Sequence, residues 1–381
     1  MPAFARCQIV DQTAVGIYHC VNRCVRRAFL CGEDALTGRS FEHRRSWIRQ
    51  RLEELAGLFA VDVLGFSVMA NHLHVILRIR PDLAEQWDDA AVARRWWRLF
   101  PRRRDERGEP AEPEPHELQA LLADPVALAE LRRRLASLSW LMRAISEPIA
   151  RRANREDRCT GRFWEGRFKC QALLDDAALL ACSMYVDLNP IRAGVAATPE
   201  TSEFTGAFER IAARQADGTA AVCDGSISAH AISTVAEAGA EVKTSGAPSP
   251  AERTRAADGW LSPIPVQEPV HVGRTPTPSG DAFSRRASDR GFLPMLLDEY
   301  LQLLDWTGRQ LRQGKSGTIP ANLSPILERL SVNATHWSDT VAQFGRWFHR
   351  AAGSAASLRR FAQRHGRRWL HGMSRSRLAF E

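Results

Sequence analysis

Residues 61–79, VDVLGFSVMANHLHVILRI, set the strongest local constraint in the chain. Two runs rich in Val, Leu, Ile and Phe, VDVLGFSVM (61–69) and LHVILRI (73–79), are separated only by Ala70, Asn71 and His72, which predicts two strands joined in a hairpin. The second run alternates. Leu73, Val75, Leu77 and Ile79 fall on one side, while His72, His74, Ile76, Arg78 and Arg80 fall on the other. The two histidines therefore share a face, with roughly 7 Å between their Cα atoms, and that face is expected to be the polar one, turned away from the core. Two neutral imidazoles at this spacing can reach one metal ion, yet an isolated H-x-H is a weak signal, and surface or hydrogen-bonded histidines are its commoner meaning.

The flanking sequence places the hairpin in an α+β arrangement. AVGIYHCVNRC (14–24) reads as a first strand, and FEHRRSWIRQRLEELAGLF (41–59) as an amphipathic helix with Trp47, Ile48, Leu52, Leu55 and Leu58 at helical spacing. DDAAVARRWWRLF predicts a further helix, followed by the charged loop RRRDERGEPAEPEP. A long helix is expected from Pro125 to Asn154, kinked or broken by Pro148. GRFWEGRFKCQAL (161–173) looks like strand with a bulge at Gly166, and DDAALLACSMYVDLNPIRAG (175–194) like a helix capped by Asp175 and stopped at Gly194. One antiparallel sheet with helices on one face, the other face left for ligand, accommodates this order. Three regions are expected: a first domain over 1–210, a flexible linker over 211–289 rich in Ala, Gly, Ser, Thr and Pro, and an all-helical module over 290–381. GRQLRQGKS (308–316) resembles a phosphate-binding loop, but five residues separate its glycines where four are required.

Charge narrows the partner. Against 44 acidic residues stand 52 Lys and Arg, a formal +8, and the excess is concentrated: Arg132 to Lys169 holds eleven basic and four acidic residues, and Arg359 to Arg377 holds seven Arg and no acid. Such runs are often solvated helix faces. In GRFWEGRFK, however, Arg162, Arg167 and Lys169 alternate with Phe163, Trp164 and Phe168, pairing cations for phosphates with rings that can stack on bases. Some of these rings can equally be core. The eight cysteines form no C-x-x-C pair and read as reduced thiols, and neither a leader nor a run of eighteen apolar residues is present, so a cytoplasmic protein with no membrane contact is expected.

The helix at 175–194 offers partners for the histidines. Leu180, Met184, Leu188 and Ile191 make its apolar stripe, while Tyr185 and Asn189 lie one turn apart on a neighbouring face, just before Pro190 interrupts the ladder. By spacing alone, a half-buried tyrosine and a helix-terminal asparagine account for both.

YHCVNR, MANHLHV, GRFWEGRFK and YVDLNPIRAG, in this order over roughly residues 10–200, closely resemble the motifs of the HUH single-strand transposases, specifically the REP-associated tyrosine transposases. The resemblance implies the ferredoxin/RRM-like sheet of the HUH fold. It places the HUH motif on His72, Leu73 and His74, the catalytic tyrosine on Tyr185, and the residue completing the metal site on Asn189. It further implies a divalent ion, Mg²⁺ or Mn²⁺, and attack of the tyrosine oxygen on a backbone phosphate of single-stranded, hairpin-forming DNA, leaving a 5′-phosphotyrosine and a free 3′-OH without a nucleotide cofactor. A bacterial cytosol or nucleoid location and a monomer or homodimer go with it. DNA contacts are expected from Asn22, Arg23, Arg151, Arg152, Arg155, Arg162, Trp164, Arg167 and Lys169. The insert between Pro81 and Arg132 departs from the shortest members. Two other readings stay open: a non-cleaving DNA-binding protein on the same scaffold, and a zinc hydrolase built on the H-x-H pair, which lacks an obvious acidic base beside the motif.

Overall fold

The computed structural model describes residues 8–25, 30–34, 37–224, 257–266, 284–313, 327–328, 330 and 332–380. The expected hairpin forms as β2 (Val61–Val68) and β3 (His72–Ile79), paired antiparallel. β1 (Gly16–Arg23) lies on the other side of β3, so that Val21 faces His74 and Arg23 faces His72 in register. β4 (Lys169–Leu173) pairs antiparallel with β1, and β5 (Ala351–Ala352) runs parallel to β4, giving the order β2-β3-β1-β4-β5. The α+β class is as expected. The sheet is mixed rather than wholly antiparallel, because the C-terminal segment, expected to be all-helical, supplies its parallel edge.

On one face, Leu73, Val75, Leu77 and Ile79 pack with Tyr18, Cys20, Val61 and Val63 against α1 (Arg44–Ala56) and α6 (Leu138–Glu156). A register shift between Val63 and Gly65 changes the parity of β2, so Phe66 and Val68 rejoin this core while Leu64 turns to the other. The opposite face was expected to be open. Instead α7 (Asp176–Asp187), buried on almost every side, lies across it with Ile76 and Leu64, and α10 (Leu297–Gln313) and α11 (Trp337–Trp347) extend the same core through Leu303, Leu304, Val341 and Phe344. Arg78, placed by alternation on a polar face, is therefore only 3% exposed; it donates to Asp62 and to the carbonyls of Arg290 and Gly291.

Local differences from the sequence reading have identifiable causes. The long helix breaks at Ala136 and Ser137, not at Pro148, giving α5 (Pro125–Leu135) and α6. The Leu135 carbonyl is taken by the amide of Ala60. Pro148 is tolerated inside α6 because the Ala144 carbonyl, which loses its helical donor there, accepts instead from Arg51 Nε of α1 at 3.0 Å. Residues 161–168 are loop rather than strand, and the left-handed glycine is Gly161 (φ 97°), not Gly166. The loop is held to the end of β1 by Val25 N–H to Phe163 O and Glu165 N–H to Arg23 O. The insert folds as α2 (Pro81–Gln86), α3 (Asp89–Leu99) and α4 (Pro115–Leu122) leading into α5. Asp175 caps α7 by accepting from the Ala178 amide, and Gly194 adopts φ 70° after α8 (Asn189–Arg192), both as the sequence indicates.

Of the expected linker, residues 225–256 and 267–283 lie outside the described residues, as does most of the SPILERL helix. The described parts are packed. α9 (Gly206–Asp224) sends Arg210 to the carbonyls of Leu64 and Ser262, Ser262 N–H bonds Val63 O along the edge of β2, and Trp260 is fully buried 5.1 Å from the Phe66 ring. The Tyr300 hydroxyl donates to Asp187 at 2.6 Å, tying α10 to the end of α7. Two further helices, α12 (Ala355–Arg364) and α13 (Met373–Phe380), follow β5, and among the described residues no helix is long and apolar enough to cross a membrane. If 257–266 is core, Trp260→Ala costs about 3–5 kcal/mol in urea unfolding; a loss below about 1 kcal/mol would return the segment to the status of a linker.

Candidate active site

β3 presents His72 and His74 to the face that α7 covers, and β1 adds His19 beside them. Their rings form a contiguous group. His72 and His74 are 4.7 Å apart in an edge contact, while His19 and His74 stack at 5.1 Å and share a hydrogen bond of 2.8 Å between His19 Nε2 and His74 Nδ1. Tyr185 reaches this group from α7, its ring 5.6 Å from His74 and 6.0 Å from His19. Asp187, two residues on, anchors this end of α7 by accepting from Ala207 N–H and Tyr300 Oη. The Arg192 guanidinium lies over the tyrosine ring at 4.6 Å and bonds the Ala342 carbonyl of α11, and Phe344 of α11 packs 5.9 Å from the same ring.

The three histidines, Tyr185 and Arg192 line a cavity of about 610 Å³. Its walls carry Arg23, Arg167, Lys169, Arg192 and Arg346 against a single carboxylate, Glu165. The imidazoles themselves are held neutral. Burial pushes His19 down to about 4; burial and then the Arg23 charge bring His72 to about 4; His74, wholly buried, is driven well below its ordinary value of 6.5, with His72, His19 and Arg192 adding to the effect. Cations around neutral nitrogen donors suit an anionic ligand.

The residues expected from sequence divide among several places. Tyr185, His72, His74, Asn22, Arg23, Arg167 and Lys169 line the cavity together. Asn22 is also spoken for, its amide donating to Ser146 Oγ at 2.7 Å. Asn189 opens α8, one turn beyond Tyr185, but is not among the side chains lining the cavity; it is 8% exposed and its Nδ2 has no hydrogen-bond partner. Trp164 is half-buried, its Nε1 bonded to Ser146 O beside a groove adjoining the cavity. Arg151, Arg152 and Arg155 lie on α6, across the sheet, and line a different cleft, while Arg162 is exposed and lines neither. Phe163, offered as a stacking ring, is core at 2% exposure.

His19, Arg192 and Arg346 were not anticipated. Arg192 had a findable signal, since it follows Tyr185 by seven residues, two helical turns. His19 had only the alternation of YHCVNR, and nothing local pairs β1 with β3. Arg346 arrives from α11, far along the chain.

For a divalent ion, the donor set is two neutral imidazoles and an amide. His74 Nε2 is buried without a partner while His19 holds its Nδ1, which is how a ligating histidine is usually oriented. Asn189 Nδ2 is likewise buried without a partner, and the two ends of the amide exchange by a flip. Among the described residues no three His, Cys, Asp or Glu side chains are arranged to hold a metal ion.

No family model and no curated protein matches the chain. A solved structure described as "Structure of the REP associates tyrosine transposase bound to a REP hairpin" matches with a TM-score of 0.31 and 13% identity, covering 54% of this chain and 82% of that chain. A likeness at that level says nothing of the site, which stands on its own geometry.

Because the folded state holds His19 and His72 at about 4 while an unfolded histidine titrates near 6.5, the unfolded chain binds the extra protons; their contribution to stability is complete above pH 6.5 and is lost as pH falls toward 4. The melting temperature should therefore fall between pH 7 and 4.5, and fall less in His19→Gln. Equal falls in both proteins would show that His19 is not buried in its neutral form.

Proposed function

We propose that the protein cleaves and rejoins single-stranded DNA at hairpin-forming palindromic elements, with Tyr185 as nucleophile. The observation that carries this reading is the placing of one tyrosine against a pair of neutral strand histidines inside a cavity walled by arginine and lysine. The motif resemblance names the same residues independently of the geometry.

In this reading, Arg23, Arg167, Lys169 and Arg346 hold the backbone phosphates of a single strand in the cavity. Arg192, stacked on the tyrosine and tied to α11, keeps the phenol aimed at the histidine group while adding a positive charge beside it. Tyr185 Oη attacks phosphorus, the new O–P bond forms as the bond to the 3′ oxygen breaks, and the phenol proton passes to solvent as the departing oxygen becomes a 3′-OH. The phosphotyrosine conserves the phosphodiester, so the reverse attack by a 3′-OH rejoins a strand without a nucleotide cofactor. His72 and His74, with Asn189, are the residues that would hold Mg²⁺ or Mn²⁺; bound there, the ion would draw negative charge from the scissile phosphate. His19 keeps the His74 ring in one tautomer and orientation through their shared hydrogen bond.

Incubated with hairpin DNA labelled at its 3′ end and Mn²⁺, the full chain should give a labelled protein band on a denaturing gel. Tyr185→Phe should abolish it, a drop of at least about 10³-fold, and His74→Ala should weaken it strongly. Cleavage with no covalent band would overturn the tyrosine mechanism. Hairpin binding with neither cleavage nor adduct would favour a scaffold that binds DNA without cutting it, a reading to which the position of Asn189 outside the cavity lining lends support.

A further inference from the structure

On the sheet face opposite the histidines, α6 opens onto a second cleft, of about 1230 Å³. One wall is α1 with α6. The other is the end of α3 and the loop after it, with Ser284 and Arg285, so the insert that sets this chain apart from the shortest members of its motif type supplies about a third of the lining. Eight arginines and four glutamates line it.

The charge is ordered along α6. Arg143, Glu147, Arg151 and Arg155 recur every fourth residue and so share one stripe of the helix, with Glu147 bonded to both Arg143 and Arg151. Along the helix axis Arg151 and Arg155 stand about 6 Å apart and Arg143 about 12 Å before Arg151, the shorter step being comparable with the interval between phosphates of an extended single strand. Arg152 stands next to the row, its guanidinium over the Trp47 ring at 3.8 Å, and it and Arg155 are exposed.

The cleft is also joined to the active-site cavity. A groove of about 390 Å³ shares Asn22, Gly166, Arg167 and Phe168 with the cavity and Arg143 with the cleft. Trp164 and Trp140 line that groove. Trp140 in turn meets Phe100 at 6.2 Å and Trp96 at 5.5 Å, and Phe100, 40% exposed, is a wall of the cleft. Rings and arginines thus line the cavity, the groove and the cleft, which meet through shared lining residues between Arg167 and Arg155.

We propose that this cleft is a second nucleic-acid site, one that takes a single strand continuing out of the active-site cavity around the edge of the sheet. Alternating cations and rings are the equipment of sequence-tolerant single-strand binding, and a track that dips into a cavity, a groove and a cleft fits a flexible strand better than a stiff duplex. The inference rests on the reading of the cavity as a DNA site and deepens it by placing the flank of the substrate.

The test compares, by fluorescence anisotropy with the full chain, a bare hairpin and the same hairpin carrying an extension of about 12 nucleotides. The extension should tighten binding at least about tenfold. R152E together with R155E should remove that gain and lower the salt slope by about 1.4, or roughly 0.7 per lost phosphate contact. Phe100→Ala should weaken binding of the extended oligonucleotide at least about fivefold, and Glu109→Lys, on the insert wall, should strengthen it, an effect that misfolding cannot mimic. No gain from the extension, or a gain retained in full by R152E/R155E, overturns the proposal. If the gain is present but no covalent adduct ever forms, the tyrosine mechanism fails while the cleft stands; an adduct without the gain leaves the mechanism standing and sinks the cleft.

Discussion

β3 is buried on both faces although only one of its faces is apolar. This constraint organises the molecule. Leu73, Val75, Leu77 and Ile79 need no more than the core of α1 and α6, but His74, Arg78 and Arg80, all under 8% exposed, must be given polar partners or bear the full cost of desolvation. Arg78 finds Asp62 and two carbonyls at residues 290 and 291, Arg80 finds Asp82 and Ser288, and His74 finds His19. The first two sets of partners include residues more than 200 positions away. The C-terminal half is thus drawn onto the sheet by its buried cations, and it brings α11 with it, which closes one side of the cavity.

The His74 face keeps unsatisfied polar atoms close to Tyr185. His74 keeps one buried nitrogen with no partner and Asn189 one amide nitrogen, and Gln171 and Ser183 keep unpaired side-chain atoms as well, whereas the carbonyl released by Pro148 is met by an arginine from another helix. An unsatisfied buried nitrogen on a side chain that lines a cavity, as on His74, is where a ligand is to be expected. The cations nearby serve two purposes, since Arg23 and Arg192 both depress the imidazole basicity and offer charge to a phosphate. A carboxylate in their place would have raised the histidine basicity and repelled the substrate.

How much of this was legible follows from the range of each interaction. Strand alternation, the helical spacing around Tyr185 and the cap at Asp175 are local, and each appears in the structure where the sequence puts it. The motifs in register named Tyr185, His72 and His74, and these do meet. What escaped was long-range. Nothing within a dozen residues of His74 shows that its face is covered, because the cover comes from α7, α10 and α11. Likewise, the Arg132 to Lys169 run is one stretch of sequence but two surfaces, since α6 packs on one side of the sheet while the loop at 161–168 crosses its edge to the other. Charge counted along the chain could not separate them. GRFWEGRFK illustrates the same limit at shorter range: its rings alternate with cations as in a strand, yet Phe163 goes to the core, Trp164 is anchored to Ser146, and Arg167 alone of its arginines reaches the cavity.

The two surfaces bear on how a hairpin could be handled. A cavity of about 610 Å³ is the scale that encloses a small ligand, not a duplex. α11 limits its growth, because Phe344 packs on the Tyr185 ring and Arg192 is bonded across to the Ala342 carbonyl. For the proposed substrate, a duplex stem would therefore stay outside while a single strand enters, and that strand would need an exit. The wall containing α11 is packed into the C-terminal core, whereas the wall made by Gly166, Arg167 and Phe168 is loop, open to the groove beside α6. The direction of least obstruction is thus also the direction in which arginines accumulate, which is why the distribution of charge and the burial of β3 belong to a single design.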